Sequence, residues 1–163
     1  MTQKNDLNSQ ASRCSCTALR KASRRISQLY DAALAPSGLK TTQRAILAQI
    51  SRCESTTVGG LAEALVMDAG ALAHTLKPLE REGLVSIDVD REDRRNRVVR
   101  LTPVGRTRLA KSDMHWENAQ RGFEAAFGRV KSEALREAMR FLVSGEFVRA
   151  FQKAGSTSKA QMS

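Results

Sequence analysis

Two groups of residues in the middle of this 163-residue chain carry side chains suited to hydrogen bonding with a polyanion. Gly70, His74, Lys77 and Arg81 recur at helical spacing, with Ala71 and Pro78 on one flank and Thr75 at the edge. On a wheel of 100° per residue they lie opposite Leu72, Leu76 and Leu79, which fall within about 60° of one another. That outer face is small near its start, then basic. His74 and Lys77 can donate to base edges or phosphates, Ala71 can pack on a thymine methyl, and Thr75 can bond phosphate. Further on, Arg91, Arg94 and Arg95 stand in the run Asp90-Arg91-Glu92-Asp93-Arg94-Arg95-Asn96. An arginine at such a tip suits a narrow minor groove, with Asp93 and Arg95 bracing the tip or touching phosphate. The plainer alternative is a solvated turn whose acids pair with its own arginines.

Other residue types invite other chemistry. Cys14 and Cys16 are two apart, and on a helix they would point about 200° from each other, so a bridge needs non-helical backbone there. Two cysteines do not make a zinc site, and neither His74 nor His115 stands at ligand spacing to them. They are redox candidates because Arg13 and Arg20 nearby favour a thiolate; inert thiols are the alternative. Tyr30, His115 and Trp116 are candidates for an effector pocket, against the alternative that aromatics at helical spacing are plain core. There is no Gly-rich phosphate loop, no H-E-x-x-H and no nucleophile with a recognisable base. No catalytic residue, metal or cofactor is therefore assigned, and the chain does not read as an enzyme.

The elements that must position these residues follow from periodicity and caps. Residues 16–35 carry Leu19, Ala22, Ile26, Leu29, Tyr30 and Ala33 at three- and four-residue steps, and Pro36-Ser37-Gly38 ends that helix. Thr41 or Thr42 can cap the next helix, bearing Ile46, Leu47 and Ile50, and Ser55-Thr56-Thr57 a short one over 58–67. Asp68 caps the helix over 69–82, which Gly83 ends; Pro78 inside it removes a backbone hydrogen bond and predicts a kink. Residues 84–89 and 97–101 alternate as two strands joined by the charged tip. Thr102-Pro103 starts a helix reaching residue 127 or 128, with stripe Leu109, Trp116, Phe123 and Phe127. One last amphipathic helix is expected over 132–151.

Composition agrees with this layout. The net charge is +10 with a pI near 10.3, which favours nucleic acid or an anionic membrane surface as partner. No apolar run approaches bilayer-spanning length, the N-terminus lacks the core of a secretory signal, and three cysteines fit a reducing compartment. A cytoplasmic location is expected, with no membrane partner.

Taken in order, Leu76-Lys77-Pro78-Leu79-Glu80-Arg81-Glu82-Gly83-Leu84-Val85, the run Asp90 to Arg95, and Val98-Val99-Arg100-Leu101-Thr102-Pro103-Val104-Gly105 resemble the MarR family of bacterial transcription regulators. The resemblance spans roughly residues 19–151. It implies a mainly α fold with a small β-wing: a winged helix-turn-helix with N- and C-terminal dimerisation helices. The expected division is a disordered tail (1–12), an N-terminal dimerisation helix (13–40), the DNA-binding domain (41–103), C-terminal dimerisation helices (104–154) and a second disordered tail (155–163). The resemblance further implies a homodimer on a pseudo-palindromic site in double-stranded DNA, acting as a repressor and released by a small-molecule effector or an oxidant. Two alternatives remain open: a redox sensor working through Cys14 and Cys16, and a winged-helix module that binds protein without reading DNA sequence.

Overall fold

The computed structural model describes residues 13–90 and 93–160. In chain order the elements are α1 (Ser15–Leu34), a 3-10 turn (Ala35–Ser37), α2 (Thr41–Cys53), β1 (Ser55–Thr57), α3 (Val58–Ala64), α4 (Ala69–Arg81), β2 (Val85–Val89), β3 (Arg97–Leu101), α5 (Pro103–Phe127), α6 (Arg129–Leu142) and α7 (Gly145–Ala160). The class is the expected one, mainly α with a small antiparallel sheet, arranged as a winged helix-turn-helix. The chain divides into two compact units, with the boundary between Ala119 and Gln120 inside α5.

In the first unit, one core binds the helix-turn-helix to the sheet. Ile46, Leu47 and Ile50 of α2, Leu61 of α3, Leu72, Leu76 and Leu79 of α4, and Val99 and Leu101 of β3 are all buried in it. Each such side chain contributes about 1.5–3 kcal/mol of hydrophobic stabilisation. The three leucines of α4 use up one side of that helix and fix which side is left to solvent. The hairpin pairs Val85 with Leu101 through Val89 with Arg97.

Several local features differ from the sequence expectation. The sheet has a third strand, β1, pairing Ser55 to Thr57 with Arg100 to Val98 on the far edge of β3. Thr57 still caps α3, its hydroxyl accepting from the Gly60 N–H at 3.0 Å. That helix stops at Ala64 rather than Met67, because Val66 turns left-handed at φ 51° and the Met67 N–H reaches back to the Ala62 carbonyl at 2.8 Å. Neither Thr41 nor Thr42 caps α2. Lys40 is the cap residue, and its N–H donates to Gln43 Oε1 at 2.9 Å, while the Asp31 carboxylate of α1 accepts the Thr41 N–H at 2.6 Å. A side chain ten residues upstream thus does the work expected of a local threonine.

The second unit contains α6 and α7 where one helix was expected. Val143 and Ser144 break the run, and Ser144 Oγ accepts the Phe147 N–H at 3.2 Å, so the serine starts a new helix. Phe147 contacts Phe141 across the break and Phe151 one turn on, at ring separations of 5.6 and 6.0 Å. The helix also runs on through Gly155 to Ala160, where a polar tail was expected. A single glycine costs a solvated helix only about 1 kcal/mol, and Ser156 Oγ donates to the Gln152 carbonyl inside that turn. The other expected tail, residues 1–12, lies outside the described residues.

Candidate nucleic-acid interface

The outer face of α4 is set by its cap and its buried stripe. Asp68 Oδ1 accepts the N–H groups of Gly70 at 2.9 Å and Ala71 at 3.1 Å, which fixes the first turn. Gly70, Ala71, His74, Lys77 and Arg81 are then all exposed, opposite Leu72, Leu76 and Leu79. Thr75 is half-buried, and its hydroxyl donates to the Ala71 carbonyl at 3.0 Å, so its proton is already engaged within the helix. The helix continues unbroken through Pro78, which leaves the His74 carbonyl without the N–H of the next turn.

The end of α4 and the start of α5 are locked together. Gly83 turns left-handed at φ 67°. Thr102 Oγ1 donates to the Gly83 carbonyl at 2.6 Å and accepts the Gly105 N–H at 3.0 Å, while the Thr102 N–H donates to the Leu84 carbonyl at 3.1 Å. Gly105 is buried so tightly there that a Cβ would lie 1.9 Å from the Leu84 carbonyl oxygen. The turn after the exposed helix is therefore held to the helix that leads out of the lobe.

Asp93 organises the tip of the β2–β3 hairpin. Its Oδ1 accepts the Arg95 N–H at 3.1 Å, its Oδ2 accepts from Asn96 Nδ2 at 3.3 Å, and the Arg95 guanidinium stands 3.7 Å away. Below it, the Asp90 N–H donates to the Asn96 carbonyl at 3.0 Å and closes the loop. Arg94 projects from this braced turn as an exposed cation. Arg91 lies outside the described residues. Among the described residues of the tip, Asp93 pairs with Arg95 and Arg94 stays at the surface.

His115 lines a cavity of about 730 Å3 between the 3-10 turn and α5, with Pro36, Gly38, Arg108, Lys111 and Met114, but neither Tyr30 nor Trp116 lines it. Trp116, one residue on, faces α2, where the Arg44 guanidinium stands 4.6 Å from its ring centre. Arg44 also bonds Asp113 at 2.7 Å and, through Nε, Ser112 Oγ at 3.1 Å. Sequence reasoning missed Arg44, Arg108 and Lys111. The last two carried a signal, since with His115 they recur at three- and four-residue steps.

All three cysteines are free and exposed. Cys14 is the cap residue of α1, with extended backbone (φ −75°, ψ 104°), so the 200° separation of a helix does not apply between it and Cys16. Its thiol is held below the ordinary cysteine value by hydrogen bonding from the Thr17 side chain and backbone. That cause replaces the nearby Arg13 and Arg20 expected from sequence.

A basic, half-small helix face beside an arginine-tipped wing defines a winged-helix DNA-binding lobe. Comparison with known proteins gives it a family. Residues 39–96 match the family model described as MarR family. The transcriptional regulator MosR of M. tuberculosis, solved with DNA, is 33% identical and superposes with a TM-score of 0.68 over 78% of this chain and 95% of its own. The transcriptional repressor CouR, from Rhodococcus jostii RHA1 and solved on a 23-mer DNA duplex, shares the fold at 22% identity, with a TM-score of 0.74 over 82% of this chain and 94% of its own. The transcriptional activatory protein BadR of Rhodopseudomonas palustris is 38% identical over 72 residues, which is 42% of this chain and 41% of BadR. This chain belongs to the MarR family of transcription regulators. Among the described residues, no helix is long and apolar enough to cross a membrane.

Proposed function

We propose that this protein is a cytoplasmic homodimer that represses transcription by occupying a pseudo-palindromic operator. The observation that carries this reading is the exposed face of α4. Gly70 and Ala71 leave room for close approach to base edges, and His74, Lys77 and Arg81 supply donors. Arg94 enters the neighbouring minor groove from the wing, with Arg95 on the sugar–phosphate backbone beside it, and Arg91 adds a further cation to the same run. Most of the affinity comes from cations neutralising phosphates and is therefore salt-sensitive. Apolar side chains left exposed on α6 and α7, among them Val130, Leu135, Phe141, Val148 and Phe151, support pairing of two copies.

Repression is the sign assigned because a dimer seated on a promoter excludes other proteins from it. The likeness to BadR supplies the opposite sign as the competing outcome, and a reporter driven by the bound promoter separates them. The direct test is binding to the DNA upstream of the protein's own gene against a random-sequence competitor across a salt series. A ratio of specific to non-specific affinity of about 10³ or more supports the reading. A ratio near one favours the protein-interaction module.

Two signals are proposed for release. The cavity carrying Arg108, Lys111 and His115 suits a small organic anion. The exposed Cys14, with its lowered pKa, favours an oxidant as the second. Hydrogen peroxide takes the Cys14 thiol to a sulfenic acid with release of water. The Cys16 thiol then condenses with it, closing a disulfide and releasing a second water.

A further inference from the structure

Between α4 and the wing runs an open groove of about 420 Å3, flanked by Ala73, Lys77 and Glu80 of α4 and by Arg95, Asn96 and Arg97 of the hairpin. Its floor includes Leu76 and Ile87, so α4 and the sheet close it from below. Lys77, Glu80, Asn96 and Arg97 are all exposed, and among the described residues no ion pair engages Lys77, Glu80 or Arg97. Asn96 gives one amide hydrogen to Asp93, and an amide nitrogen carries two.

The position of this groove decides what it meets. A helix in a major groove and a hairpin in the adjacent minor groove lie on either side of one sugar–phosphate strand, because that strand is what separates the two grooves. Whatever lines the gap between them faces phosphate oxygens and no base edge. We propose that this groove is a saddle for that strand, held by Lys77, Asn96 and Arg97, with Glu80 as an opposing charge that limits the affinity. The proposal rests on the DNA-binding reading above and adds a site to it. Arg97, the first residue of β3, stands in a strand whose pairing fixes its backbone, and its guanidinium can meet a phosphate through two parallel bonds. Lys77, assigned above to the helix face, sits at that face's edge nearest the wing and serves the strand as a point charge. Among the described residues that line the groove, Glu80 is the one acid, and it repels the strand.

The test is equilibrium binding of the full chain to two duplexes, one of random sequence and one from upstream of the gene, across a salt series. Arg97→Gln lowers affinity for both duplexes by the same factor, about threefold to tenfold at physiological salt, and flattens the salt slope by about one. Arg97→Lys keeps the slope, and Glu80→Gln tightens both duplexes equally. Circular dichroism matching the parent protein shows that the variants are folded. An unchanged slope for Arg97→Gln overturns the saddle, and so does a loss confined to the upstream duplex, which would make Arg97 a base reader. In both cases the parent protein still binds DNA. A parent protein with no salt-dependent binding to either duplex overturns the DNA reading itself, and the saddle with it.

Discussion

The Arg44 guanidinium lies over the ring of Trp116, 4.6 Å from its centre, while bonding Asp113 on the same helix as the tryptophan. Arg44 belongs to α2 of the DNA-binding lobe and Trp116 to α5, so a half-buried cation fastens the lobe to the helix that leaves it. Its Nε also donates to the fully buried Ser112, whose hydroxyl donates on to the Leu109 carbonyl at 2.6 Å.

Arg44→Met should therefore destabilise the fold by about 2–3 kcal/mol, from the ring contact and two charge-assisted bonds. Asp113→Asn should cost under about 1 kcal/mol, because Asp113 is half exposed and screened. Denaturant titration followed by fluorescence measures both, since Trp116 is the chain's single tryptophan. Equal losses for the two variants would show that the ion pair, rather than the ring and Ser112, holds Arg44.

Gly105 offers a sharper stability test. A methyl group there meets the Leu84 carbonyl oxygen at 1.9 Å, and that oxygen is fixed by the Thr102 N–H. Gly105→Ala must push α5 away from the start of β2, at a cost of about 3 kcal/mol or more. Gly122→Ala, on the same helix with open space around it, should be neutral or slightly stabilising. Thermal unfolding of the pair checks the contrast. Similar melting points would mean the contact at Gly105 relaxes freely.

Much of this fold is legible in sequence because its signals are local. The leucine stripe of α4, the Asp68 cap, the left-handed Gly83 and the Thr102-Pro103 start each act within one or two turns of chain. What sequence does not reveal is set by distant neighbours. β1 is three residues of serine and threonine with no alternation to mark it, and its partner strand begins forty residues later. The Asp31 cap on α2 and the Arg44 contact on Trp116 likewise join residues that no pattern links. The break at Ser144 did carry a signal, a serine followed by Gly145 and Glu146 at the head of α7, but the apolar stripe runs across it and hides it. For the candidate interface, the exposed side of α4 could be read because burial has a period. The groove beside the wing could not, since it exists only once the hairpin folds against the helix.

Arg94 is exposed beside Asp93, which accepts from the Arg95 N–H and the Asn96 side chain and not from Arg94, so removing Arg94 should cost contacts to DNA and leave those bonds in place. Arg94→Ala should weaken operator binding by about 1–3 kcal/mol with no change in melting temperature. Asp93→Ala should also weaken binding, because it frees the Arg95 N–H and the Asn96 side chain. Competition binding at fixed salt measures both. Full affinity in Arg94→Ala would take the wing tip out of the interface.

The lowered pKa of Cys14 makes a statement about rate against pH. A thiol held below its ordinary value keeps a reactive thiolate at lower pH, and Thr17 supplies the main bond that lowers it. Alkylation of Cys14 should thus rise with pH earlier than in a Thr17→Val variant, whose profile moves to higher pH. Mass spectrometry of iodoacetamide-treated protein resolves the site. In parallel, peroxide should release DNA from the parent protein but not from a Cys14→Ser/Cys16→Ser double variant. Release that persists in the double variant would remove these thiols from the signal.

Val130 of α6 and Val148 of α7 are exposed in the single chain, so charging them costs its fold almost nothing. If they meet a second copy, each new charge is buried without a partner, a penalty of several kcal/mol per ion. Val130→Lys/Val148→Lys should then sediment as a monomer with the parent's unit folds unchanged. A pseudo-palindromic site needs both lobes about one helical turn apart. The monomer should accordingly lose most of its operator affinity while still binding random DNA weakly, because Lys77 and Arg94 remain. A variant that stays dimeric would place the interface elsewhere on these helices. A monomer that still binds the operator at full strength would show that one lobe suffices to read it.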